Sequence, residues 1–226
     1  MCGRFVQKSE RKIITEEFYI LEFLNDVFIS YNVAPGQNAG VIINEGKNLY
    51  SLFKWGLVPS WSRDTKTGYK MINARAETIT QKPSFRSAFA ARRCLVPVDG
   101  FYEWEKKGSA KVPFFIYNNT GKPFSLGGLW DTWQGPDGKL LKTFTIITTE
   151  ANKSLKDIHQ RMPVIVPPDK RSRWLDGNIK QKGKLLDMLD PYDGDEIGFH
   201  EVARFVNSPK NNSPECIEEV PGGTKW

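Results

Sequence analysis

The chain has 226 residues, 39% hydrophobic and 12% aromatic, and a net charge of +6 from 32 Lys and Arg against 26 Asp and Glu. That is enough apolar material for one sizeable core, and no Pro/Gly/Ser-rich linker divides it, so a single domain over residues 1–226 is expected. Its three Cys lack C-x-x-C or metal-ligand spacing, and no apolar run has the length of a membrane span or a signal-peptide core; a reduced cytoplasmic monomer, nucleoid-associated if bacterial, is expected, with no metal, cofactor or membrane contact.

The first notable stretch is Met1-Cys2-Gly3-Arg4. Loss of Met1 would leave Cys2 carrying both an α-amine and a thiol, with reference pKa values of about 8 and 8.5. An amine condenses with an aldehyde to an imine, and a neighbouring thiol can close on the imine carbon to give a five-membered thiazolidine. Residues 9–24 are predicted helical, with Ser9 as cap and Ile14, Phe18 and Leu21 on one face. Residues 31–36, Tyr31-Asn32-Val33-Ala34-Pro35-Gly36, read as a loop. Strands are expected at 40–44 and 48–55, a flexible loop at 59–70, and a short helix at 84–91. The chain then turns β-rich, with strands at 94–98, 101–105, 113–117, 125–132 and 143–149 and a short apolar run at 163–166. Helices are predicted at 168–175 and 179–189, a strand at 200–205, and a loose tail from about 213 to 226. Long runs of strands with few helices indicate an α+β fold with mostly antiparallel sheet.

Several side chains stand out for their chemistry. Between Lys54 and Arg93 lie nine Lys and Arg against Asp64 and Glu77, a net of +7, with Trp55, Trp61, Tyr69 and Phe85 among them. Cations bind phosphates with counterion release, and interleaved aromatics suit unpaired bases. Glu103 alternates with Tyr102 and Trp104 and shares a strand face with Phe101; if that face is inward, burial raises its pKa and makes it a proton carrier. His159, one of two His, lies between Asp157 and Arg161 at a junction where a titrating group is often held. Asn73 and Arg75 would point to one side of an extended segment.

Six stretches together resemble the SOS-response-associated peptidase (SRAP) family: Met1–Phe5, Tyr31–Gly36, Trp55–Pro59, Ile72–Thr78, Gly100–Trp104 and Asp157–Pro163. The region of Val206-Asn207 and Asn211-Asn212 resembles the family's C-terminal part. The resemblance implies a β-barrel-like centre with flanking helices and a basic DNA channel. It implies recognition of abasic sites in single-stranded DNA and covalent coupling through Cys2, with Asn73, Glu103 and His159 around it. Arg4, Asn32, Arg75 and Arg161 match positions that hold DNA phosphates, and Pro35 and Trp61 match positions near the bases. Some relatives carry two adjacent Trp where this chain has Trp61-Ser62, and the loop from Arg63 to Met71 is a few residues longer. Two other functions compete: a cysteine peptidase acting on other proteins, and a single-strand-binding module in which Cys2 is incidental.

Overall fold

The structure is a computed structural model that describes residues 2–222; Met1 and the end of the expected tail, 223–226, lie outside the described residues. In chain order its elements are β1 (Phe5–Gln7), α1 (Arg11–Phe18), β2 (Glu22–Phe23), β3 (Ser30–Val33), β4 (Asn38–Asn44), β5 (Asn48–Trp55), β6 (Asn73–Arg75), α2 (Pro83–Ala91), β7 (Arg93–Val98), β8 (Gly100–Lys107), β9 (Ala110–Asn118), β10 (Phe124–Gln134), β11 (Leu140–Glu150), β12 (Arg161–Pro163), α3 (Arg171–Leu175), α4 (Lys182–Leu186) and β13 (Ile197–Glu201).

Strands β4, β5, β7, β10 and β11 close a ring, because β11 pairs back onto β5. Four of these pairings are antiparallel and the closing one, Thr143 opposite Lys54 and Phe144 opposite Trp55, is parallel. Five strands require this, since antiparallel steps alone close a ring only with an even number. The second sheet has the order β13-β9-β8-β1-β3 and is antiparallel throughout.

Period-two alternation divides the core. Val41, Phe53, Val96, Leu126 and Phe144, one from each ring strand, join Cys2, Phe5, Phe101 and Phe114 in one cluster shared with the second sheet. The neighbouring residues Ile42, Leu95 and Ile147 instead join Phe18, Phe85, Phe89 and Trp174 of the flanking helices. The fold is thus α+β, a closed barrel with flanking helices. Among the described residues no helix is long and apolar enough to cross a membrane.

Some elements differ from the sequence-based expectation. The first helix stops at Phe18 because Tyr19 turns left-handed, with φ of 51°. Ile14 and Phe18 are buried as expected, but Leu21 falls past the stop and is exposed. Ser9 does not cap the helix; its hydroxyl donates to the Asp99 carboxylate at 2.6 Å. The segment 31–36 is a strand as far as Val33. From Pro214 to Ile217 the expected tail forms a 3₁₀ turn with Cys216 fully buried, and Glu219 bridges to Val202, so packing extends well past residue 213.

The cationic stretch is also partly internal. Arg93 is buried and donates to the carbonyls of Phe89, Ala90, Trp174, Asp176 and Ile179. It ties the end of α2 to the end of α3 instead of facing a phosphate. Arg92 pairs with Asp131 at 3.2 Å. A lysine cannot reproduce the planar fork, so Arg93→Lys should leave several carbonyls unsatisfied and cost about 3 kcal/mol. Denaturant unfolding at neutral pH checks this; a change below about 0.5 kcal/mol, the level of ordinary surface substitutions, would show that the contacts are dispensable.

Candidate functional site

The site is built around the start of β1. That strand lies between β3 and β8, with Phe5 opposite both Val33 and Phe101. A central strand buries what it carries, and Cys2, three residues before Phe5, is fully buried. The backbone carbonyl of Cys2 accepts a hydrogen bond from Asn73 Nδ2 at 2.8 Å. Asn73 opens β6, which pairs parallel to β11 with Asn73 opposite Ile146. Ala74 points to the helix-side core and Arg75 is exposed, so Asn73 and Arg75 share a side as the extended pattern predicts. Among the described residues, Asn73 Oδ1 is buried without a hydrogen-bond partner: an acceptor beside Cys2.

Glu103 lies on β8 opposite Phe114. Phe101 joins the Cys2 cluster while Tyr102 joins a different one with Val6 and Cys216, so the expected face assignment holds, and the Glu103 face is inward. Glu103 is only 4% exposed. Burial pushes its carboxyl up to about 7. The Cys2 thiol is also pushed up, first by burial and then by the negative charge of Glu103. Cys2 is therefore a protonated thiol near neutral pH, and it needs a base before it can act as a nucleophile.

His159 follows a turn closed by Ile158 N–H to Leu155 C=O, with the Asn152 side chain accepting from Leu155 N–H. Its Nδ1 accepts from Arg161 N–H at 3.0 Å, which leaves Nε2 carrying the proton of the neutral ring. Burial lowers its pKa, favouring that neutral form. In the imidazolium, Nδ1–H has the Arg161 carbonyl at 3.1 Å as acceptor. His159, Glu103, Trp104, Lys111 and Asn207 line an open cleft of about 510 Å³. Lys111 and Asn207 were not marked as site residues by sequence. Lys111 reaches the cleft only because the β8–β9 hairpin sets it opposite Lys106, and Asn207 because its Oδ1 accepts from Trp104 Nε1 at 2.8 Å. The second histidine, His200, bonds Ile217 C=O at 2.8 Å, a structural role.

The expected phosphate ligands have different surroundings. Arg75 is exposed. Arg4 donates to Asn32 Oδ1 and to the carbonyls of Val206 and Asn207. The Asn32 amide donates to the carbonyls of Val206, Ser208 and Asn211 and is 1% exposed, so both ends of its side chain are used within the protein. Arg161 forms a two-point pair with Glu77, at 2.8 and 3.1 Å, and also donates to Thr148 C=O. Trp61 is 63% exposed, and Pro35 is half-buried in a turn held by Gln37. Among the described residues no group of three or more His, Cys, Asp and Glu is placed to hold a metal.

The sequence profile of the SOS response associated peptidase (SRAP) family matches residues 1–209. The chain belongs to this family. It is 46% identical over 222 residues to Abasic site processing protein YoqW of Bacillus subtilis (strain 168), spanning 96% of this chain and 99% of that protein. It is 33% identical over 224 residues to Abasic site processing protein HMCES of Xenopus tropicalis, spanning 84% of this chain and 66% of that longer protein. A crystal structure of a protein from Bacteroides thetaiotaomicron superposes with a TM-score of 0.86 at 27% identity, covering 97% of this chain and 100% of that one.

Burial of Glu103 has a measurable consequence for stability. A carboxyl raised from 4.5 to about 7 holds its proton in the folded state after the unfolded chain has lost it. Stability is then fully present below about pH 4.5 and falls as pH rises toward 7, by about 3 kcal/mol. Glu103→Gln should lack this fall and be more stable than the parent at pH 8, but not at pH 4. Thermal or urea unfolding across pH checks it; parallel curves for the two proteins would mean that Glu103 is not held in a low-dielectric site.

Proposed function

We propose that this protein processes abasic sites in single-stranded DNA as part of a DNA-damage response, by forming a thiazolidine between Cys2 and the ring-opened sugar after self-removal of Met1. The observation that carries this reading is the placement of Glu103, a carboxyl tuned to about 7, within electrostatic range of the buried Cys2 and open to a cleft that also holds His159. The names of the relatives and the family's span over residues 1–209 support the same reading.

The chemistry follows from the tuning of each group. An abasic deoxyribose is mostly a closed hemiacetal, and only its open form carries an aldehyde. Neutral His159 offers Nε2–H to the ring oxygen and assists opening. The Cys2 amine adds to C1′, and loss of water leaves an imine. The thiol then adds to the imine carbon: an S–C1′ bond forms, the S–H proton passes to Glu103, and Glu103 returns it to the imine nitrogen. Since burial keeps Cys2 protonated, this closure depends on a base, and a carboxyl near 7 is matched to accepting and returning a proton at neutral pH. Asn73 holds the Cys2 carbonyl through Nδ2, and its unpartnered Oδ1 offers an acceptor for the freed amine. Arg75, Lys111 and the other exposed cations meet the phosphates, with Arg4, Asn32 and Arg161 shaping the walls. Ring closure consumes the imine, the species prone to strand-breaking elimination.

Intact mass after incubation with an abasic oligonucleotide should show a protein lacking Met1 plus one DNA strand, stable to heating. Cys2→Ala should give at most a borohydride-trappable imine. An adduct of Cys2→Ala as durable as the parent's would exclude the thiazolidine. Cleavage of unrelated peptides without DNA coupling would favour a peptidase acting on proteins, and unchanged non-covalent binding without any adduct would leave a binding module.

The pH dependence of single-turnover crosslinking separates the acid–base groups. The rate should fall as pH drops below about 7, because protonated Glu103 cannot accept the thiol proton. Glu103→Gln should be on the order of 10²–10⁴-fold slower and lack that inflection. His159→Ala should keep the inflection while slowing, and its defect should shrink on a simple aldehyde with no ring to open. An inflection that persists in Glu103→Gln would assign it elsewhere.

A further inference from the structure

The loop between β5 and β6 is not the flexible segment its composition suggests. Both of its ends rest on β11: Trp55 is opposite Phe144, and Asn73 is opposite Ile146. Two residues of strand separate those points, about 7 Å. Between them the loop is braced from within. The Ser62 hydroxyl bonds Asp64 C=O and the Thr67 hydroxyl, Asp64 caps the 3₁₀ turn at Lys66 N–H, and Trp133 Nε1 donates to Ser62 C=O at 2.7 Å. Gly56 and Gly68 pack backbone to backbone: a Cβ on either would lie 2.7 Å from the other's carbonyl oxygen, and Gly56 has φ of 121°.

This braced loop presents two large aromatics to solvent, Trp61 at 63% and Tyr69 at 72% exposure. Tyr69 sits beside Gly36, with Cε1 3.9 Å from where a Gly36 Cβ would be. Arg63, Lys66 and Lys70 are exposed around it. An exposed ring carried on a braced backbone among cations is an arrangement that can stack unpaired bases while phosphates are neutralised nearby. Tyr69 is also only four residues before Asn73, so their Cα atoms lie within about 14 Å.

We propose that Tyr69 is a base-stacking residue that binds a nucleobase flanking the lesion and contributes preference for unpaired strands. This assignment rests on the single-stranded DNA reading above. It is tested with the full chain and two fluorescently labelled strands of equal length, one oligo(dT) and one built entirely of baseless tetrahydrofuran nucleotides. The parent protein should bind oligo(dT) more tightly. Tyr69→Ala should lose about 5- to 100-fold on oligo(dT) and almost nothing on the baseless strand, while Tyr69→Phe should stay near the parent on both. Equal losses on both strands, or none on either, would overturn the stacking role and leave the DNA reading intact. A parent protein that binds neither strand would remove the DNA reading and this assignment with it.

Discussion

The arrangement of the site depends on how a five-strand ring closes. One of its five pairings has to be parallel, and here it joins β5 to β11. A parallel pairing needs a crossover, because the chain must leave one end of a strand and return in the same direction. β11 accepts a second parallel partner, β6, immediately beyond the first. The chain thus leaves the ring at Gly56, makes its excursion, and returns to the same strand two residues along. That return delivers Asn73 to the carbonyl of Cys2 and fixes the exposed loop next to it. Because β5 and β6 pair end to end along β11, the carbonyl of Cys2, Asn73 and the base of the loop meet at one end of that strand.

The second constraint is electrostatic. Cys2 and Glu103 occupy the head of a fully packed core, and both are disfavoured in their charged forms by that burial. They also oppose one another, since ionised Glu103 makes the Cys2 thiolate harder to form. The favoured neutral-pH states are a protonated thiol and a carboxyl poised between its two forms. A solvent-exposed glutamate would be ionised throughout and too weak a base to matter. Stability lost by burying Glu103 above pH 7 is the counterpart of its basicity.

Much of this was legible in the sequence where strands were long enough to show a period. β4, β5 and β7 to β11 are long apolar runs, most of them bounded by turn residues, and in β8 a period of two puts Glu103 on the face of Phe101. β1, β3 and β6, the strands that assemble the site, have three or four residues each, too few for a period to register against chance. Their identity comes from partners distant in sequence, such as Val33 and Phe101 flanking Phe5. Charge reading met a different limit. Arg93, Arg161 and exposed Arg75 are the same residue type in one composition. Only the fold distinguishes an internal brace, a Glu77-paired wall and an open cation. Asn32 likewise lies in a Pro/Gly-marked stretch that reads as surface, yet its amide is entirely internal.

That internal amide leads to a point about order of assembly. Arg4 and Asn32 are bonded to each other and both reach Val206 C=O, separated from them by 202 and 174 positions. Asn207, from the same turn, borders the cleft and receives Trp104 Nε1. The cleft thus joins β8 to a turn 103 positions later in the chain, and that turn is itself held by Arg4 and Asn32. Until that segment docks, the guanidinium of Arg4 lacks two of its acceptors and Trp104 lacks its partner. The Glu103 pKa, by contrast, comes from burial that the packed sheet provides. In the unfolded chain Glu103 would titrate close to an ordinary carboxyl and Cys2 close to an ordinary thiol. The paired shift of Glu103 and Cys2 is consequently a property of the finished fold, in which the early and late parts of the sequence have come together.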